Sequence, residues 1–181
     1  MTIIKSSVLG NTEVGKTSFT QRWITGNFPN PDFLRSTIGA SFDTKRITLE
    51  DRREIVLSLW DFGGQDRFID QLKNMIRGTV VGLLFFDVTR LQTLDDLINL
   101  WIPRIEENST LKLKEGDGDR FVLVANKVDL IDDDRIDMVA NEMLSLHEEY
   151  GFEGQFISAK TGLGMDLLDS KFTEKLEKYA K

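Results

Sequence analysis

Apolar runs alternate with longer amphipathic stretches along this chain. TIIKSSVL (2–9), IVLSLWDF (55–62), VVGLLFFDV (80–88), RFVLVANKVD (120–129) and GQFISAK (154–160) read as strands. Several are almost continuously apolar, as expected for parallel strands covered on both faces. ASFDTKRITLE (40–50) and REIVLSLWD (53–61) flank a polar turn at Asp51-Arg52 and predict a hairpin. Six strands result, one of them antiparallel. Helices are predicted over 16–25, 65–77, 93–107, 135–150 and 165–179. In the third, Leu94, Leu97, Ile98, Trp101, Ile102 and Ile105 recur at helical spacing. Asp132, Asp133 and Asp134 open the fourth, where the helix dipole favours acids, and read as capping rather than as a metal cluster. The polar segment KLKEGDGD (112–119) is expected to be a mobile surface insertion. Strands alternating with helices imply an α/β sheet with right-handed crossovers, which binds its ligands at the carboxyl ends of the strands.

The length of 181 residues suggests one domain spanning 1–181. The chain has no cysteine, which removes disulfides, thiolate metal sites and a cysteine nucleophile and suits a reducing cytoplasm. Its net charge of −7 argues against nucleic acid as a partner, which would need a basic face. MTIIKSSVLG does not read as a signal peptide, and VVGLLFFDV is too short to span a bilayer and reads as a buried strand.

GNTEVGKTS, residues 10–18, has the spacing of a loop that wraps phosphates: Gly10, Gly15, Lys16 and Thr17, between a strand and a helix. The loop runs through Asn11, Thr12, Glu13 and Val14 and on to Ser18. Its backbone N–H groups and the helix dipole are expected to hold the phosphates. Lys16 is placed to reach the terminal phosphates and Thr17 to ligate Mg²⁺. Glu13 is a negative charge inside an anion cradle. Because the cradle is made by main chain, that side chain is expected to point into solvent, where screening weakens it. Thr12 sits where a side chain approaches the γ-phosphate and the attacking water, and is expected to slow hydrolysis.

WDFGGQDRF (60–68) follows the third strand. Asp61 is placed to hold Mg²⁺ through water. Gly63 and Gly64 free the backbone for a close approach to a γ-phosphate. Gln65 can orient a water for in-line attack, because its amide both donates and accepts. NKVD (126–129) ends the fifth strand. The Asp129 carboxylate can accept two hydrogen bonds from guanine N1 and N2, a donor pair that adenine lacks. Asn126 braces the loop and contacts the base, and the Lys127 stem covers its face. Ser158, Ala159 and Lys160 end the last strand and offer N–H groups to guanine O6.

Together GNTEVGKT, STIG, WDFGGQ, DVT, NKVD and SAK resemble the Ras-like small GTPases, nearest the Rab branch in wording, with an Arf-like WDFGGQ. The resemblance implies a P-loop NTPase fold, the small G domain: a six-stranded, mostly parallel sheet flanked by five helices. It implies GTP or GDP as ligand with one Mg²⁺, and a switch that is on with GTP and off with GDP. Thr37 is similar to the switch I threonine that meets Mg²⁺ and the γ-phosphate. Gly64 is similar to the switch II glycine, and Phe28 to the aromatic on the guanine edge. Losing the γ-phosphate would free both loops, so effector proteins are expected through switch I and II. An activating protein and an exchange factor are expected as well, and the chain is expected to be a monomer.

The sequence also departs from the family pattern. Residues 28–37 are longer than usual and carry Pro29 and Pro31, so switch I is expected to follow an unusual path. Asp66 follows Gln65 where glutamate is more common. KYAK holds no cysteine for prenylation or palmitoylation, and Thr2 stands where myristoylation needs glycine. If the C-terminus is the native one, no direct lipid anchor is expected, and membrane association only through partners. Arg35 reads as a solvated switch arginine rather than an arginine finger in cis. His147 reads as a surface histidine, and Trp23, Trp60 and Trp101 as packing residues. Slow intrinsic hydrolysis is expected, with Lys16, Thr37 and Gln65 as the catalytic set. The competing readings are a GTP-binding scaffold with negligible hydrolysis and a P-loop nucleoside or small-molecule kinase. NKVD and SAK argue against the kinase.

Overall fold

The computed structural model describes residues 2–30, 39–63 and 72–180. Its strands are β1 (Thr2–Leu9), β2 (Ala40–Thr48), β3 (Glu54–Phe62), β4 (Val81–Asp87), β5 (Phe121–Asn126) and β6 (Glu153–Ile157). They form one sheet in the order β2-β3-β1-β4-β5-β6. Every pairing is parallel except β2 with β3, which closes through the Asp51-Arg52 turn. Arg52 takes a positive φ of 66° there, and its N–H donates to Leu49 O at 2.9 Å.

Among the described residues five helices flank the sheet. These are α1 (Lys16–Thr25), α2 (Leu72–Ile76), α3 (residues 92–108), α4 (Asp133–Tyr150) and α5 (Met165–Tyr179). Successive side chains of a strand face opposite ways, so β4 serves two cores. Leu83 and Phe85 pack with Phe19, Phe172 and Leu176 of α1 and α5. Leu84 and Phe86 pack with Ile76, Trp101 and Ile105 of α2 and α3. All seven β4 residues are therefore buried, which is why the run is apolar without alternation. The six-stranded mixed sheet and its five helices agree with the expected fold.

Of the helix predicted over 65–77, Leu72–Ile76 is formed, and 64–71 lie outside the described residues. Three other local features differ from the sequence reading. α3 is not uniform: Gln92–Asp96 and Ile102–Asn108 are joined by a π turn, Leu97–Trp101, in which Ile102 N–H bonds Leu97 O. Pro103 accounts for it. Proline removes one helical hydrogen bond and crowds the carbonyl four residues back, and widening the turn relieves both.

β5 and β6 end at Asn126 and Ile157, which leaves Lys127–Asp129 and Ser158–Lys160 in the loops beyond them. Residues 112–119 are not a mobile insertion. They fold into two 3₁₀ turns, Leu113–Glu115 and Asp117–Arg120. Leu113 is fully buried there, and Asp119 is fastened to α5 by Lys175, Lys178 and Tyr179. No helix among the described residues is long and apolar enough to cross a membrane.

Candidate functional site

The loop from Gly10 to Gly15 carries the chain from β1 into α1 at the carboxyl edge of the sheet. Gly10 (φ 137°) lies so near β4 that a Cβ there would stand 2.2 Å from the Phe85 carbonyl oxygen. Gly15 (φ 96°) precedes α1, and a Cβ there would meet the Asn126 amide nitrogen at 2.2 Å. Both positions need glycine for conformation and for space. Val14 is buried beneath the loop.

Glu13 adopts a left-handed φ of 64°, uncommon for a residue with a side chain. Its carboxylate stands in solvent, 3.9 Å from Arg90 Nη1. Arg90 also donates to the Thr12 carbonyl at 3.3 Å and pairs with Asp87 at 3.0 Å. The acid in the cradle thus belongs to an outer clamp on the loop.

Inside the loop the Lys16 side chain is almost fully buried, and its ammonium donates to Gly10 O at 2.8 Å and Asn11 O at 2.6 Å. Burial pushes its pKa down to about 8, opposed by the negative charge of Asp61. Thr17 Oγ1 donates to Asp61 Oδ2 at 2.5 Å. Asp61 is 1% exposed; among the described residues its other oxygen makes no hydrogen bond, although the nearby Ser41 hydroxyl acts to lower its pKa. Burial raises its carboxyl pKa, while Lys16 and the Thr17 hydroxyl oppose the rise. A buried, half-satisfied carboxylate beside a hydroxyl suits a hard divalent cation, whose preferred ligands are oxygens. Thr12 Oγ1 donates to Gly63 O at 3.1 Å, and Gly63 N–H to Gly39 O at 2.8 Å. The loop 10–15 is thereby tied to the end of β3 and the start of β2.

The other half of the site lies beyond β5 and β6. Asn126 is buried and works in both directions: its amide donates to Val14 O at 2.9 Å, and its Oδ1 accepts Ala159 N–H at 3.0 Å. Lys127 takes a left-handed φ of 71°, and its ammonium sits 2.7 Å from Asp87 Oδ2. Burial alone would raise the Asp87 carboxyl pKa, but Lys127 and Thr89 hold it below the usual range. Asp129 and Lys160 are exposed, while Ser158 and Ala159 are buried. Ser158 Oγ accepts the Thr161 N–H and shapes the turn. Phe28 is half-buried against the core on the α1 side.

The structure therefore brings together the loop 10–18, Asp61, Asn126, Lys127, Asp129 and the turn 158–160. Thr37, Gly64 and Gln65, with Arg35, lie outside the described residues. Several supporting residues were invisible to local pattern. Arg22 donates to Lys160 O at 2.9 Å and Thr161 O at 3.2 Å, which steadies the last loop. Asp87 opens the DVT stretch and Arg90 follows it, and the wording of that stretch gave no role to either. Asn11 is bonded to Asp96 and Trp101 of α3. These pairings join residues far apart in sequence, and the only sequence signal was polar residues just past strand ends.

A model of the Ras family matches residues 5–178. The Ras-related protein RabJ of Dictyostelium discoideum is 31% identical over 186 residues, covering 97% of this chain and 67% of that protein. Rab7 of Cenchrus ciliaris is 36% identical over 131 residues, covering 71% of this chain and 60% of its own length. Rab-27B of Rattus norvegicus is 30% identical over 173 residues, covering 91% and 75% respectively. Neither a scaffold without hydrolysis nor a small-molecule kinase gains support from these similarities.

Proposed function

The chain belongs to the Ras family of small GTPases, nearest its Rab branch, and from that premise we propose that it is a GTP/GDP switch that hydrolyses GTP slowly. The observation that carries the reading is the nearly fully buried Lys16 ammonium beside the Thr17–Asp61 bond. A cation whose pKa is lowered, and whose acceptors among the described residues are two neutral carbonyls, gains when an anion enters the cradle. Lys16 would exchange Gly10 O and Asn11 O for phosphate oxygens.

The donor set of Thr17 and Asp61 fits Mg²⁺, with Thr37 as the further ligand the resemblance implies. Bound there, the ion would neutralise phosphate charge. Thr17 would ligate through its hydroxyl and Asp61 through water.

Base choice rests on Asp129, an exposed carboxylate free to accept from guanine N1 and N2. The Lys127 stem, steadied by Asp87, would lie along the base, and Ala159 with Lys160 would offer N–H groups to O6. Gln65 would orient the attacking water. With no arginine supplied to the transition state, turnover is slow, and an activating protein that adds one would accelerate it by roughly 10³–10⁵-fold. Effectors would read switch I and II, and an exchange factor would reset the site. We place the protein in the cytoplasm.

The test is to denature freshly purified protein and identify the released nucleotide by ion-exchange chromatography. Stoichiometric GDP is the expected result. Stoichiometric GTP keeps the base and phosphate assignments but rejects hydrolysis. Adenine nucleotide, or none from magnesium buffer, overturns the reading.

A further inference from the structure

We infer that Asp96 and Trp101 of α3 are positioning residues that hold the phosphate loop through Asn11 and thereby set how fast nucleotide leaves. The inference rests on the nucleotide-switch reading above.

The Asn11 side chain is used at both ends. Its Oδ1 accepts the Trp101 indole N–H at 2.8 Å, and its amide donates to Asp96 Oδ2. The second Asp96 oxygen accepts from Gln92 Nε2 at 3.1 Å, which fixes the carboxylate on its helix. The Asn11 main-chain oxygen meanwhile accepts from Lys16 Nζ at 2.6 Å. One residue thus links the ammonium of the cradle to a helix more than eighty positions along the chain. Trp101 reaches further. Its ring is 1% exposed and meets Phe62 edge-on, with centroids 5.7 Å apart. Phe62 precedes Gly63, whose carbonyl accepts the Thr12 hydroxyl at 3.1 Å. Trp101 therefore touches both segments joined by the Thr12–Gly63 bond, the phosphate loop and the end of β3.

The π turn makes this grip possible. Asp96 and Trp101 are five residues apart. In an α-helix of 3.6 residues per turn, positions five apart point about 140° away from each other. A turn that closes on the fifth residue back brings such positions toward one side. Asp96 immediately precedes the π turn Leu97–Trp101 and Trp101 closes it, and both reach Asn11. A regular helix would leave Asn11 with one partner. Pro103 maintains the irregularity, so the bulge and the double grip belong together. Both grips come from α3, outside the switch segments, so whatever shifts this helix would loosen the phosphate loop.

The grip predicts a reciprocal exchange. Asn11→Asp sets two carboxylates against each other and removes the amide donor. Asp96→Asn added to it restores one donor and one acceptor with the roles reversed, and the indole N–H keeps an oxygen to bond. The pair of changes also conserves charge beside the cradle, so general electrostatic effects on phosphate largely cancel.

The experiment loads each protein with N-methylanthraniloyl-GDP in magnesium buffer and follows its release into excess GDP. Asn11→Asp is expected to release about ten-fold faster or more, from like-charge contact and a lost bond. The double variant is expected to return to within about three-fold of the native rate. Trp101→Phe keeps a ring against Phe62 but loses the donor, and is expected to release about three- to ten-fold faster. Hydrogen exchange of the amides of residues 11–15 should rise in the fast variants while β4 and β5 stay protected. If Trp101→Phe does not fold, the exchange pair alone decides. Native-like release from every variant overturns the inference, as does a double variant no slower than Asn11→Asp. So does a rise in exchange spread evenly over β4 and β5. In those cases the nucleotide reading stands. A native protein that binds no labelled GDP overturns both.

Discussion

The Asn126 amide bonds the Val14 carbonyl at 2.9 Å, so the loop that would hold the base and the loop that would hold the phosphates share one side chain. The same side chain accepts from Ala159 N–H, which adds the third loop. Both bonds are buried. Asn126→Ala would strand a carbonyl and an N–H together, at about 1–3 kcal/mol for each group left unmade. We expect a loss of about 2–4 kcal/mol in urea unfolding, accompanied by faster nucleotide release. A variant within about 0.5 kcal/mol of the native protein would show that water satisfies both groups without strain.

Two glycines with left-handed φ separate conformation from space. Gly10 (φ 137°) has backbone of β4 where its Cβ would go, at 2.2 Å. Gly26 (φ 77°), past the end of α1, has nothing within 4 Å. Gly26→Ala should therefore cost only the left-handed penalty, about 1–2 kcal/mol. Gly10→Ala should cost more than about 4 kcal/mol or prevent folding, because a strand would have to move. Thermal unfolding of the two variants side by side checks this, and equal losses would refute the packing argument.

Much of this arrangement was legible locally. α1 and α5 begin and end where expected because glycines and polar turns bracket their amphipathic faces. The two-sided burial of β4 was written in its unbroken apolar run. The sharp glycine loop from β1 into α1 was legible because its backbone demands glycine at fixed spacing, and the place of NKVD at the end of β5 was legible from the apolar run before it. What escaped depended on distant partners. Residues 112–119 look like solvent-facing chain, yet Leu113 fills the core and Asp119 meets lysines 56 and 59 residues onward. The helix spacing from Leu94 to Ile105 fits an α-helix and a π-bulged one equally. Pro103 was the visible sign of a defect, but nothing nearby said that the defect aims Asp96 and Trp101 at Asn11. Glu13 looked like a lone acid because Arg90, its partner, lies beyond a different strand.

Asp119 offers a pH-dependent test of how the segment 112–119 is fastened. Its carboxylate bonds Lys175 at 3.0 Å, Lys178 at 2.6 Å and Tyr179 at 2.5 Å. Partial burial alone would raise its pKa, but these partners hold it far below the usual carboxylate range. A depressed folded pKa means that the unfolded chain takes up the proton first as pH falls. The stabilisation is present above the ordinary value of about 4 and is lost below it. Asp119→Asn should cost about 1–2 kcal/mol at pH 7, a modest figure because the carboxylate is over a third exposed and screened. The gap from the native protein should narrow as pH drops below about 4. Urea midpoints at several pH values decide it, and a gap independent of pH would remove the ion pairs from the account.

Thr12 is the remaining residue whose side chain intrudes on the cradle. Its hydroxyl bonds Gly63 O at 3.1 Å, bridging the phosphate loop and the end of β3 where a γ-phosphate and its attacking water would meet. On the proposed function, a side chain there would occupy room that the water needs, and its hydrogen bond would restrain the backbone of the loop. Thr12→Gly removes both effects. Single-turnover GTP hydrolysis by the variant should run several-fold faster than by the native protein, with GDP release changed less, because the Asn11 and Lys16 contacts remain. The gain should be largest without any activating partner, since Thr12 acts on the unassisted reaction. A rate equal to or below the native one would mean that the hydroxyl helps to organise the site and does not slow the reaction.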